Sequence, residues 1–139
     1  MLVVVDTNVM LSALARQSPV APLFRAIANG EIHLALTAAI VLEYEEIAAE
    51  RGGAAFSARL MHWLSLVGTA WNSISLVHPS YQFRLICSDP DDNKFADCAI
   101  TANADFLITS DSDYEPMVGS GYKPQPIKPE DFIARYLKP

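Results

Sequence analysis

The sequence predicts an α/β domain built on a mainly parallel sheet with helices over both faces. Three observations predict it. Leu2-Val3-Val4-Val5 is a continuous, β-branched apolar run, the pattern of a strand buried on both sides. Further largely apolar runs occur at Ile32 to Leu36 and Phe106 to Thr109, with helical spacing between them. Strands that alternate with helices pair in parallel, because each crossover helix returns the chain to the edge it left.

The elements follow in order. Residues 2–5 read as the first strand, and Asn8 to Ala15 as a helix. Pro19 and Pro22 break and restart that pattern, and Leu23 to Ala28 carries it to a stop at Asn29-Gly30. Ile32 to Leu36 is a second strand. Thr37 is placed to cap a helix running to about Arg51, closed by Gly52-Gly53. Ala54 to Val67 is another helix, and Ser73 to Val77 alternates as a strand does. Pro79 to Pro90 reads as loop. Asp91 or Asp92 caps a helix to about Asn103, followed by a strand over 105–109. A short edge strand near Ile127 and a closing helix from Glu130 to Leu137 complete the chain. No repeat, linker or low-complexity stretch divides it, so residues 1–139 are read as one domain.

Composition narrows the class. At 51% hydrophobic and 19% charged residues, the chain is expected to fold. No apolar run approaches the ~20 residues of a membrane span. The N-terminus has no basic region, and Leu2 to Val5 is too short for a signal core, so the expected setting is cytoplasmic, away from membranes. Cys87 and Cys98 read as ordinary thiols, at least one of them buried. The net charge of −6 argues against binding nucleic acid by broad electrostatic attraction. The charge is uneven: eight of the 16 acids lie between Leu85 and Glu115, beside a single base, Lys94.

Those acids fall at suggestive places. Asp6 directly follows the first strand, where α/β sheets build ligand sites, and the same position suits an N-cap. Thr7 and Asn8 are placed to orient its carboxylate. Glu43 lies on an apolar helix, although periodicity alone does not choose among Glu43, Glu45 and Glu46. On a helix starting near Asp92, Asn93 and Asp97 share a face, so Asp97 enters the pocket and Asp92 caps or donates from the helix start. Asp111 follows the strand ending at Thr109 as Asp6 follows the first. If those strands are neighbours, both acids reach one ion. Asp113 is a further ligand candidate, and Asp111-Ser112-Asp113 also suits an Asx turn. Converging carboxylates repel one another, and a bound divalent cation is the usual resolution. Oxygen donors favour Mg²⁺ or Mn²⁺, and His33, His62 and His78 lack zinc spacing.

With these residues in view, the chain resembles the PIN-domain family, and within it the VapC-like toxins of toxin–antitoxin systems. The resemblance rests on Val3-Val4-Val5-Asp6-Thr7-Asn8, Leu42-Glu43-Tyr44-Glu45-Glu46, the segment 89–95 with Asp97, Leu107 to Asp111, and the ending Ile127 to Phe132. It implies a three-layer α/β/α sandwich and an endoribonuclease using one or two Mg²⁺ or Mn²⁺ ions. It selects Glu43 from its helix, and maps the remaining acids to Asp6, Asp97 and Asp111, with Asp92 supporting. It also implies an RNA substrate, a cognate antitoxin and a homodimer. The acidic net charge leaves substrate grip to local cations such as Arg16, Lys94 or Lys123. Two rivals stand beside this reading. One is a receiver-like phosphoacceptor domain, which Thr109 and Lys123 imitate but which wants an acidic pair where Asp6 is followed by Thr7. The other is a non-catalytic RNA- or protein-binding module on the same fold.

Overall fold

The computed structural model describes residues 1–14, 17–70, 72–86 and 89–137. Among them, strands β1 (Leu2–Val5), β2 (His33–Leu36), β3 (Ile74–Leu76), β4 (Phe106–Ile108) and β5 (Gln125–Ile127) form one sheet in the order β3-β2-β1-β4-β5. Every pairing is parallel, so the C-terminal ends of the strands share one edge. Helices α1 (Thr7–Ala13), α2 (Ala21–Ala28), α3 (Ala38–Ala70), α4 (Asn93–Thr101) and α5 (Pro129–Tyr136) complete the α/β/α fold. Successive strand residues point to opposite faces, and Val3, Val4 and Val5 are all fully buried. The central strand is therefore covered on both sides, which is why its sequence does not alternate. Each such side chain contributes about 1.5–3 kcal/mol by leaving water. None of the described helices is long and apolar enough to cross a membrane.

The pairing that matters most joins β1 to β4. Val5 pairs with Ile108, and the Asp6 amide donates to the Ile108 carbonyl at 3.0 Å. The residues that follow the two strands, Asp6 and Thr109, are thereby set side by side. This is the condition on which a shared site depended.

Two helix boundaries are as expected, and a third differs. Thr37 caps α3, its hydroxyl accepting from the Ile40 amide at 3.1 Å. The expected stop at Gly52-Gly53 is present: Gly53, at φ 86° and ψ 172°, is non-helical and divides the Ala38–Ala70 run into two helices, and the Ser57 hydroxyl bridges back to the Glu45 carbonyl at 2.9 Å. The start of α4 is the one that differs. A 3-10 turn over Pro90–Asp92 precedes it, and that turn is capped by Asp89, whose carboxylate accepts from the Asp91 amide at 3.1 Å. Asp92 occupies the cap position of α4 without making the cap hydrogen bond. Neither Asp91 nor Asp92 caps the helix, because Asp89 has already turned the chain. The Asp92 side chain is left for another use.

The flanks of the sheet are unequal. On β5 the Ile127 carbonyl accepts from the Thr109 amide at 3.0 Å, so the backbone of the alternate residue, Pro126, faces outward. On β3 the residues bonded to β2 flank Ile74 and Leu76, and Leu76 is 58% exposed.

Candidate active site

Asp6 is both a helix cap and a buried acid. One carboxylate oxygen accepts from the Thr7 amide at 2.8 Å, and the other from the Thr109 hydroxyl at 2.8 Å. The same Thr109 hydroxyl accepts from the Asp111 amide at 3.0 Å. One threonine at the end of β4 thus ties the two acids at the sheet edge together. Burial raises the pKa of Asp6 most, against the hydrogen bonds from Thr109 and Thr7, and the charges of Asp111 and Glu43 add to the rise.

Glu43 is fixed at both oxygens. Thr7 donates its hydroxyl to Oε2, and Lys94 forms an ion pair with Oε1 at 2.8 Å. Glu45 and Glu46 are exposed. The structure therefore turns Glu43 toward the site, where periodicity could not choose. Beneath it the buried Tyr44 hydroxyl donates to the Val5 carbonyl and anchors α3 to the end of β1.

Asp92 is the centre of the acidic group. Its Oδ2 is buried and has no hydrogen-bond partner. Burial, then the charges of Asp89, Asp6 and Asp111, push its carboxyl up to about 7, with the Tyr114 hydroxyl opposing. Asp89, Asp92 and Asp113 also bring carboxylate oxygens within 4.8 Å of one another. Asp113 is held there by its amide, which donates to Asp111 Oδ1 at 2.9 Å, the Asx turn expected at this position.

Asp97 is placed differently. It is 8% exposed, and its Oδ1 accepts from the Phe83 amide at 3.0 Å. Burial raises its pKa against that hydrogen bond, and no other acid contributes. It lines two cavities together with Gln82 and Lys94. Asn93 binds the Ile86 amide and the Ile86 and Pro90 carbonyls, at 2.9, 2.9 and 3.2 Å, and so staples the preceding loop. Asn8 accepts from Arg51 at 2.6 Å. Lys123 pairs with Asp105 at 3.1 Å, and Asp105 also accepts from the Leu2 amide at 2.8 Å. That is the opposite end of β1, so Lys123 is not beside the acids as a receiver-like site requires. Arg16 and Cys87 lie outside the described residues; Cys98 is buried, and burial pushes its thiol up to about 12.

Two contributors escaped the sequence reading. Thr109 orients Asp6 and Asp111, and its position directly after a buried strand was the available signal. Tyr114 is fully buried with its hydroxyl 3.5 Å from the Asp92 carbonyl oxygen, and nothing local in the sequence marked it.

The donor set fits a hard divalent cation. A buried carboxylate oxygen without a partner, among other carboxylates, is costly unless a cation or proton satisfies it. Asp92 Oδ2 meets that description, and the surrounding donors are all oxygens, as Mg²⁺ and Mn²⁺ prefer.

Comparison with known proteins agrees with this architecture. The model of a family described as PIN domain matches residues 2–113. No curated protein and no solved structure matches the chain.

Proposed function

Because this chain belongs to the PIN-domain family, whose members are typically metal-dependent nucleases, we propose that it hydrolyses RNA phosphodiester bonds with Mg²⁺ or Mn²⁺. The observation that carries the reading is the unsatisfied, buried Asp92 Oδ2 set among the charges of Asp6, Asp111 and Asp89. Asp6, Asp92 and Asp111 would hold the cation, with Asp89 and Asp113 as further oxygen donors beside Asp92. In this assignment Asp92 takes the ligand role that the motif resemblance gave to Asp97. Thr109 orients the Asp6 carboxylate and fixes the Asp111 backbone. Glu43, held by Thr7 and Lys94, keeps a carboxylate at the rim of the site, where it can align a water for attack on phosphorus. A bound divalent cation supplies Lewis-acid stabilisation of the phosphate charge and lowers the pKa of water.

The finer reading is a toxin of a toxin–antitoxin pair, acting as a homodimer and restrained by a cognate antitoxin. The VapC-like motifs support it, and growth arrest on induced expression, absent with Asp6→Ala, would test it. The hydrolytic assignment is tested by calorimetric Mn²⁺ titration and RNA cleavage, comparing the native protein with an Asp6→Asn, Asp92→Asn double variant. Binding and cleavage should both vanish in the variant while its circular dichroism stays native. Equal Mn²⁺ binding in both proteins would refute the convergence of these acids on one ion.

A further inference from the structure

Beyond the acids lies a second feature that hydrolysis alone does not explain. Two adjoining cavities, of about 620 and 460 Å³, share Gln82, Lys94 and Asp97. Arg84 lines the first; His78 and Tyr81 line the second. Lys94 connects this groove to the acidic centre, since its ammonium holds Glu43, and Glu43 accepts from Thr7 beside Asp6.

Tyr81 brings an aromatic ring to the wall of the groove, and two further rings adjoin it. Tyr81 meets Phe83 edge-on, with centroids 4.8 Å apart, and Phe83 meets Tyr122 in the same way at 5.2 Å. The backbone of Phe83, the middle member, is pinned by the hydrogen bond its amide donates to Asp97. Tyr81 is 65% exposed. An exposed ring supported by a pinned neighbour is pre-organised to stack on a planar partner. Next in the chain, Arg84 has φ 54°, a backbone conformation that L-residues rarely adopt. Arg84 and Lys94 line the first cavity beside Asp91 and Asp97; Lys94 is paired with Glu43, so Arg84 is the cation offered to a phosphate.

We propose that this groove is the track by which one unpaired RNA strand approaches the acidic centre, with a base stacked on Tyr81 and Arg84 against the backbone phosphates. The proposal rests on the nuclease reading for its direction but not for its binding contacts. An unpaired strand is required because a base within a duplex cannot expose its face to a side chain. Stacking on an aromatic ring tolerates any base and strengthens binding by about tenfold or more. Each phosphate neutralised adds about 0.7 to the salt slope for a single strand. A peptide would use the rings equally well, but it would gain nothing from a track that leads to a phosphodiester-cleaving centre.

The test is fluorescence anisotropy with a labelled, unstructured RNA of about 12 nucleotides, long enough for one such groove. An Asp6→Asn background with Mg²⁺ present prevents turnover. Tyr81→Ala should weaken binding about tenfold, Tyr81→Phe should keep it within about twofold, and Arg84→Gln should lower the salt slope by about 0.7. The same RNA annealed to its complement should bind more weakly. Binding of single strand that is indifferent to Tyr81→Ala, equal binding of duplex, or no RNA binding at all overturns the track; the last result would leave the groove to a peptide. A second readout separates this from the nuclease reading. Mn²⁺-dependent hydrolysis of bis(p-nitrophenyl) phosphate by otherwise native protein reports the acidic centre without an RNA strand. Hydrolysis with Tyr81-indifferent RNA binding defeats the track alone. Tyr81-dependent binding without hydrolysis of RNA or the small diester defeats the nuclease reading alone.

Discussion

Replacing Asp92 by Asn should make the cation-free protein more stable at alkaline pH while removing its response to metal. Asp92 has its carboxyl pushed from the ordinary 3.8 up to about 7, first by burial and then by Asp89, Asp6 and Asp111. The folded-state value lies above the unfolded one, so folding takes up a proton between pH 3.8 and about 7. The stability linked to Asp92 is therefore fully present at acid pH and is lost as pH rises through that window. Taken at face value the shift corresponds to about 4 kcal/mol, at 1.36 kcal/mol for each pH unit. The side chain is partly open to solvent, and screening reduces the expected effect to about 1–2 kcal/mol. In a chain of this size that is about 3–8 °C in Tm. Asn keeps the shape and removes the charge. In EDTA, Asp92→Asn should melt about 3–8 °C above the native protein at pH 8 and close to it at pH 4. Mn²⁺ should then raise the native Tm and leave the variant unmoved. A variant equally or less stable than native at both pH values would show that Asp92 is not held against like charge, and the argument for a cation there would lose its basis.

Three further outcomes follow from the same geometry. Asp97→Asn should bind Mn²⁺ within about twofold of native, since a group outside the ligand set perturbs affinity less than the 10–100-fold typical of supporting residues; a calorimetric loss of binding would return Asp97 to that set. Thr109→Val removes both the donor to Asp6 and the acceptor for the Asp111 amide, and should lower Mn²⁺ affinity about 10–100-fold. Unchanged affinity would reduce Thr109 to a packing residue. Gly53→Ala forces a side chain into a left-handed conformation where the new Cβ meets nothing within 4 Å, so a cost of about 1–2 kcal/mol should come from the backbone alone and appear as a lower Tm.

What could be read in the sequence had short-range causes. Val3 to Val5 needed two buried faces, and that requirement is visible in three consecutive letters. Asp6 and Asp111 were found because each closely follows such a run. Their meeting was not visible, because it depends on β4 pairing with β1 across a separation that no local pattern encodes. Asp92 and Asp97 show how far a local rule reaches. A helix begun near Asp92 makes Asp92 a cap and turns Asp97 inward. The chain instead caps the preceding turn with Asp89, and the Asp92 carboxylate, left without a capping bond, has its pKa raised by the charges of Asp89, Asp6 and Asp111. Asp97 is buried and Asp92 half-buried, and of the two only Asp92 has its pKa raised by the charges of other acids. Glu43 was separated from Glu45 and Glu46 by family resemblance, and in the fold by two partners, Thr7 and Lys94, distant from it in sequence.

The unequal flanks of the sheet determine how copies of this chain could polymerise. Growth of a parallel sheet needs an outward-facing amide at alternate positions on the edge strand. Pro126 has none at the outward position of β5, so a strand arriving there finds a carbonyl without its matching donor. At β3 the outward amides of Ile74 and Leu76 remain, beside an exposed leucine. A sheet that can be extended at only one side can seed a pair across that side, but cannot by strand addition alone propagate a fibre. Concentrated or partly unfolded preparations should accordingly stall at small strand-paired assemblies rather than run to filaments.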